Sequence, residues 1–374
     1  MKIVIDDKIP FINGVFEPFA DVVYKAGSEI SRIDLLDAEA LVTRTRTICD
    51  AKILKGTKVK LIASATIGFD HIDTDFCSRN NIAWANADGC NSSAVAQYVL
   101  AALLQISQQC NINLDKMTIG IIGVGNVGKK VETICRTLGM NVLLCDAPRK
   151  KNEKNMSFAD IDKVAENADI ISLHLPLNQV GEYKTYHLFN DKMFEMLKAK
   201  ILINTSRGEI VETNALNSAI KNRKIAFTVV DVWENEPKIN KILLSLVNLA
   251  TPHIAGYSLE GKAAGTTMAV QAISKFFNLG LENWQVKNLP EVEQKIIVDC
   301  CDKSVINVLQ DIIKSVYNIM LDNDLLKQNV DDFEELRSNY RLRREFASYK
   351  IFAKNLTDEQ KKILNLLDFN LIES

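Results

Sequence analysis

Three side chains in this sequence are of the types that together can move a proton and hold an anion. His253 sits in Thr251-Pro-His-Ile-Ala-Gly256, Glu236 closes Asp231-Val-Trp-Glu-Asn-Glu236, and Arg207 lies in Asn204-Thr-Ser-Arg-Gly208. A carboxylate beside an imidazole favours the imidazolium and fixes the tautomer, which suits proton exchange with a hydroxyl or carbonyl near neutral pH. A planar guanidinium grips a carboxylate through two parallel hydrogen bonds. With a hydride acceptor nearby, the trio is sufficient to oxidise a 2-hydroxy acid: His253 takes the hydroxyl proton while Arg207 holds the acid. Each residue also has a plain reading. A lone histidine is usually structural, Glu236 before Pro237 can merely end a segment, and Arg207 can be a surface charge. What favours chemistry is that all three follow apolar runs of one repeating pattern.

The hydride acceptor has its own signature. Thr118-Ile-Gly-Ile-Ile122 leads into Gly123-Val-Gly125-Asn126-Val127-Gly128, and a helix-forming segment with Val131, Ile134 and Leu138 follows. A strand, a glycine turn and a helix N-terminus suit a dinucleotide pyrophosphate. A second apolar run, Val142-Leu-Leu-Cys145, ends in Asp146, about eighteen residues after the last glycine. Asp146 would accept hydrogen bonds from a ribose and repel a 2′-phosphate, so NAD is favoured over NADP. Arg149-Lys-Lys151 just beyond weakens that preference.

These residues need elements to position them. Predicted strands are Lys2–Ile5, Ala40–Val42, Leu61–Ser64 and Ala83–Trp84, then Ile119–Ile122, Val142–Cys145, Ile170–Leu173, Ile201–Ile203, Phe227–Val230 and Leu249–Ala250. Helix-forming stretches lie between most of them, which implies parallel sheets. In open α/β sheets ligands bind beyond the carboxyl ends of the strands. The glycine turn, Asp146, His174-Leu-Pro176, Arg207, Glu236 and His253 all follow strand ends and so share one edge. His174 is expected to order its strand end beneath the cofactor, and His71 and His187 to be structural. Ser92 or Ser93 caps a predicted helix towards Ile106, and Ser258 another towards Phe277 that returns the chain to the first domain. Beyond Trp284 the pattern turns helical at Ser304–Met320, Asp331–Leu336 and Leu356–Leu367, with a possible strand at Ala347–Ala353 and a tail at Asp368–Leu371.

Composition narrows the function. Lys plus Arg (45) nearly balance Asp plus Glu (47), which gives no support for nucleic-acid binding. No apolar run is long enough to span a bilayer. The N-terminus lacks a cleavable signal pattern, and the eight scattered cysteines fit a reduced, cytoplasmic setting. No metal-binding spacing occurs. Cys300-Cys301 reads as a buried pair, with redox activity as the alternative.

Taken together, these motifs resemble the D-isomer-specific 2-hydroxyacid dehydrogenase family over nearly all of residues 1–285. The resemblance implies catalytic roles for Arg207, Glu236 and His253. It also implies cofactor contacts at Leu175, Asp231 and Gly256. The expected architecture is α/β: a Rossmann-type NAD-binding domain (92–256), a flavodoxin-like discontinuous substrate domain (1–91 and 257–285), and a small α+β C-terminal dimerisation domain (286–374). Ala65-Thr-Ile-Gly-Phe-Asp-His-Ile-Asp73, Tyr183-Lys-Thr-Tyr-His187, Gly256-Tyr-Ser-Leu-Glu-Gly-Lys262 and Arg343-Arg-Glu-Phe346 resemble one branch whose substrate carries a distal phosphate. There Thr45, Thr66 and Tyr257 match substrate positions, and the chain is expected to form a homodimer.

A phosphorylated substrate needs donors away from Arg207, and Thr43-Arg44-Thr45-Arg46 supplies them at a strand end. Arg44 and Thr45 are therefore expected at the substrate's far end, against the alternative of a solvated basic turn. Arg343 or Arg344 reaching a partner's active site is a bolder expectation than plain surface charge. Two other functions stay open: a related dehydrogenase for 3-phosphoglycerate or an unphosphorylated acid, and an NAD-sensing binding protein without turnover.

Overall fold

Aliphatic runs without polar alternation belong to strands covered on both faces, and here they assemble into parallel sheets. The computed structural model describes residues 1–153, 158–341 and 343–372. Its chain divides into two compact units, Met1–Asn91 with Ser258–Pro290, and Ser92–Tyr257 with Glu291–Ser374.

In the first unit β1 (Lys2–Asp6), β2 (Asp21–Lys25), β3 (Ala40–Thr43), β4 (Leu61–Ser64) and β5 (Ala83–Ala85) form a parallel sheet ordered β2-β1-β3-β4-β5. Successive side chains point to opposite faces. Val4, Leu41 and Ile62 therefore pack with Leu35, Leu54 and Phe76, while Ile3, Ile5, Val42 and Ala63 pack with Val270 and Ile273. Those last two come from the helix Leu259–Phe277, whose N-cap Ser258 accepts the Gly261 N–H at 2.9 Å. The helix lies close to the end of β4: a β-carbon on Gly265 would stand 2.4 Å from the Ala65 carbonyl oxygen.

In the second unit β6 (Thr118–Ile122), β7 (Asn141–Cys145), β8 (Ile170–Leu173), β9 (Ile201–Asn204), β10 (Phe227–Val230) and β11 (Leu249–Ala250) form a sheet ordered β11-β10-β9-β8-β6-β7. The strand order reverses at β6, which has β7 on one side and β8 on the other, so its carboxyl end is the crevice where a ligand can enter. The helix Ser92–Cys110 contributes buried Tyr98, Val99, Leu103 and Ile106 to the core on one face. The C-terminal residues add β12 (Lys295–Asp299), β13 (Lys350–Lys354) and β14 (Asn370–Ile372), a parallel sheet ordered β12-β13-β14.

Strands β2, β12 and β14 were not expected. Each is short and flanked by charge or by Asn, and β14 occupies what the sequence read as a tail. The single helix expected over Ser304–Met320 is two, Val305–Val316 and Ile319–Gln328, because Asn318 caps the second by accepting the Met320 N–H at 3.2 Å. Cys300 is buried but Cys301 is exposed, which corrects the reading of both as buried. Among the described residues no helix is long and apolar enough to cross a membrane.

Candidate active site

The Pro-His turn after β11 is fixed from below by Asp231, the first residue after β10. The Asp231 backbone oxygen accepts the His253 N–H at 2.7 Å, and its carboxylate accepts the N–H groups of Ile254 (2.8 Å) and Ala255 (3.0 Å). The Thr251 hydroxyl donates to the same carboxylate at 2.7 Å and meets the Tyr98 hydroxyl at 2.7 Å. Burial pushes the Asp231 carboxyl up, opposed by the nearby His253 charge and these hydrogen bonds. His253 itself has a left-handed backbone (φ 57°), a conformation that costs free energy and persists because its neighbours over-determine it.

Nδ1 of His253 lies 2.8 Å from Oε2 of Glu236, which leaves Nε2 for a substrate. The other Glu236 oxygen accepts the Trp233 N–H at 2.9 Å, and the Trp233 indole donates to the Thr251 carbonyl at 3.0 Å. Burial would raise the Glu236 carboxyl, but the charge and hydrogen bond of His253 and the charge of Arg337 hold it below its ordinary value. Arg337, near the end of a polar helix, carries no motif that marks it; its Nη1 lies 3.6 Å from Glu236 Oε2.

Arg207 is half-buried at the end of β9, and the Asn204 side chain holds its carbonyl at 3.0 Å. A β-carbon on Gly208 would stand 2.0 Å from the Trp233 carbonyl carbon, so this glycine lets the Arg207 loop lie against the loop that carries Glu236. The predicted catalytic trio thus stands on three adjoining strands, β9, β10 and β11.

The glycine turn follows β6. Gly123 adopts φ +89°, and a β-carbon there would meet the His174 carbonyl oxygen at 2.4 Å and Leu175 at 3.1 Å, so Leu175 borders the turn. Gly125 has nothing within 4 Å of that position, leaving open backbone in front of the helix Asn126–Thr137, with Asn126 and Gly125 exposed. Val127 packs against the core. Asp146 accepts the Val124 N–H at 2.9 Å and the Arg149 N–H at 3.0 Å. The basic run beyond it is paired: Arg149 with Glu153 at 2.7 Å, Lys150 with Asp160 at 2.6 Å, Lys151 with Glu182 at 3.1 Å. Open backbone at a helix N-terminus, an aspartate at the next strand end and neutralised cations fit NAD. His174 sits between the Ser172 (2.9 Å) and Thr205 (3.3 Å) hydroxyls. Part of the residue is exposed, yet its ring is enclosed, and burial pushes its imidazolium down to about 3.

Tyr257, in this same unit, accepts a hydrogen bond from Arg337 Nε at 3.1 Å, and Gly256 precedes it half-buried. Arg343 is 5 % exposed and donates to the carbonyls of Ala94 (3.1 Å) and Ala255 (2.5 Å), its guanidinium 4.6 Å from the Tyr317 ring centre. It therefore turns into its own chain, whereas the sequence suggested a partner's site or a solvated charge. Arg344 reaches the Ser348 hydroxyl at 3.3 Å. His187 pairs with Glu234 at 2.7 Å.

The first unit carries the remaining candidates. Arg44 Nε is 3.3 Å from the carboxylate of fully buried Asp6, and Thr45 is exposed. Thr66 meets the Ser64 hydroxyl at 2.9 Å and donates to the Gly68 carbonyl at 3.2 Å. Lys262, unremarked beyond its motif, is near enough to Arg44 that burial and that like charge push its ammonium below the ordinary lysine range.

Residues 97–255 match the model of the NAD binding domain of D-isomer specific 2-hydroxyacid dehydrogenases, and residues 289–367 match a domain of unknown function. The erythronate-4-phosphate dehydrogenase of Bacteroides thetaiotaomicron is 47% identical over 355 residues, 94% of this chain and 99% of that protein. Its counterpart from Proteus mirabilis is 37% identical over 374 residues, 99% of each. The chain belongs to the erythronate-4-phosphate dehydrogenases, within the D-isomer-specific 2-hydroxyacid dehydrogenase family. It is an NAD-dependent dehydrogenase. The fold is also that of the D-lactate dehydrogenase of Aquifex aeolicus (TM-score 0.61, 23% identity, 78% of this chain and 100% of that one). The NAD-dependent formate dehydrogenase of Staphylococcus aureus is alike in fold too (TM-score 0.63, 23% identity, 75% and 96%).

Proposed function

We propose that the chain oxidises 4-phospho-D-erythronate at C2 to 2-oxo-3-hydroxy-4-phosphobutanoate, a step of pyridoxal 5′-phosphate (vitamin B6) synthesis. The observation that carries the reading is the His253–Glu236 pair, joined at 2.8 Å across the ends of β11 and β10, next to the β9 end that bears Arg207. His253 Nε2 takes the proton of the C2 hydroxyl, and Glu236 stabilises the imidazolium that results. Arg207 holds the substrate carboxylate and polarises the forming carbonyl. A bound NAD would supply the acceptor for the C2 hydride, and His253 is left holding the one proton that the hydroxyl loses as the ketone forms. Gly123, Gly125, Asn126, Val127 and Gly128 would hold its pyrophosphate and Asp146 its ribose. Leu175, Asp231 and Gly256 would border the nicotinamide.

Arg44, Thr45, Thr66 and Tyr257 are assigned to the substrate, with Arg44 and Thr45 at its phosphate. A homodimer is part of the same reading, formed through residues 286–374. Ile297, Phe352 and Ile372 share one face of the C-terminal sheet by register, and Ile297 is 71% exposed. Eight cysteines with no disulfide support a reducing compartment such as the cytoplasm.

The test is NADH formation from 4-phospho-D-erythronate compared with 3-phosphoglycerate. Preference for the first is expected, with H253A slowed about 10²–10⁴-fold. Wild-type turnover in H253A, or preference for 3-phosphoglycerate, would sink the reading.

A further inference from the structure

Residues 291–374 belong to the same unit as the NAD-binding sheet, and one of their side chains reaches the acid/base pair. Arg337 lies in the helix Phe333–Ser338. Its Nη1 is 3.6 Å from Glu236 Oε2, the oxygen that holds His253. Its Nε donates to the Tyr257 hydroxyl at 3.1 Å, and the guanidinium stands 6.0 Å from the Tyr257 ring centre. The Arg337 and Glu236 side chains are only 15% and 18% exposed, so solvent screens this pair far less than a surface one.

We propose that Arg337 is a positioning residue for the reaction: by sharing Glu236 Oε2 with His253, it limits how firmly that carboxylate retains a proton on the imidazole. The proposal rests on the role given to His253 above. The charges in play come from several elements. Glu236 and Asp231 favour the imidazolium, Asp231 because it is buried within reach of the His253 charge. Glu209, whose carboxyl burial raises, feels the charges of Glu236 and Glu234 and is itself countered by Arg207. Arg337 is the cation set directly against Glu236. A general base must release its proton as readily as it takes one, and two carboxylates alone would bias His253 towards the charged form. A fixed cation on Glu236 offsets that bias. The hydrogen bond to Tyr257 keeps the guanidinium facing the carboxylate. On this view the C-terminal residues, which match a domain of unknown function, complete the catalytic electrostatics of their own chain.

Removing the Arg337 charge favours the imidazolium, so neutral His253 becomes available only at higher pH. The full-length R337M, R337Q and R337K proteins would be compared with wild type. Two readouts are needed: kcat/KM for the hydroxy acid against pH, and a histidine-selective NMR titration in which H253A assigns His253 among the four histidines. In R337M and R337Q the acidic limb and the His253 midpoint should both move up by about 0.5–1 pH unit, and R337K should restore both. An unmoved His253 midpoint in R337M or R337Q overturns the proposal, whatever happens to turnover. So does an R337K protein that behaves like R337M. If H253A proves fully active, the assignment of the base fails, while the NMR titration still decides whether Arg337 acts on His253.

Discussion

A β-carbon on Gly128 would stand 2.1 Å from the carbonyl oxygen of Gly123, whereas one on Gly125 would meet nothing within 4 Å. The two glycines are therefore needed for different reasons. G128A must push the helix from the turn, at a cost of about 1–3 kcal/mol or more, and should lower the melting temperature as well as NADH affinity. G125A should fold with a loss of no more than about 1 kcal/mol, yet weaken NADH binding by at least about 10-fold, roughly 1.4 kcal/mol. Thermal unfolding and NADH fluorescence titration separate the two. Equal loss of stability in both variants would refute the distinction.

In the proposed reading, cofactor choice rests on Asp146 and on the pairing of Arg149 with Glu153. D146S is expected to weaken NADH by about 10-fold, as for one or two lost hydrogen bonds to a charged group. Adding E153Q removes the charge that neutralises Arg149, which stays held by the Val124 carbonyl, so the double variant should improve on D146S for NADPH. Paired titrations with both cofactors check this; an unchanged NADPH affinity would remove Arg149 from the account.

His174 predicts an acid-sensitive window. Its folded imidazolium is pushed down to about 3 by burial, against an ordinary value of 6.5 in the unfolded chain. The unfolded state therefore binds a proton that the folded state refuses. This contribution is complete above about pH 6.5 and is lost as pH falls towards 3, with a slope of at most about 1.4 kcal/mol per pH unit. In H174Q, which keeps an amide for Ser172 and Thr205, the melting temperature should fall less steeply between pH 6.5 and 4.5. Parallel slopes for the two proteins would contradict the assignment.

The row of exposed Ile297 with half-buried Phe352 and Ile372 predicts how the proposed dimer is broken. I297E places a charge on that row without touching Ile296 or Val298, which are buried beneath it. Light scattering after size exclusion should find a monomer with near-native melting behaviour. A persistent I297E dimer would move the interface elsewhere.

Much of this was legible before any coordinates. Strong aliphatic runs such as Ile170–Leu173 and Ile201–Asn204 are buried on both faces, so their composition alone announced them. The residues just past them, Asp146, Arg207 and His253, were singled out because strand ends collect ligands. Lys295–Asp299 was missed because five residues alternating between core and solvent, with lysine and aspartate at the ends, resemble a loop. Arg337 was invisible for a different reason. Its meaning comes from a carboxylate about a hundred residues earlier in the chain, and no local pattern records such a meeting. Arg343 misled for the same cause: a dense basic cluster reads as solvated until one member is seen buried against Tyr317.

The route of the chain also sets a timetable. Strands β1, β3 and β4 are made first, yet the face bearing Ile3, Ile5 and Val42 is sealed by Val270 and Ile273. Those residues leave the ribosome only after the whole of β6–β11 has been synthesised. At the usual pace of translation, roughly 5–20 residues per second, the N-terminal sheet must wait on the order of ten seconds or more with an oily face uncovered. The later-born nucleotide-binding sheet is then the first to have both its strands and a covering helix, Ser92–Cys110, at hand. The sheet at the N-terminus, although first to be made, is completed after it, and in that interval the nascent chain is most exposed to aggregation and most in need of a chaperone.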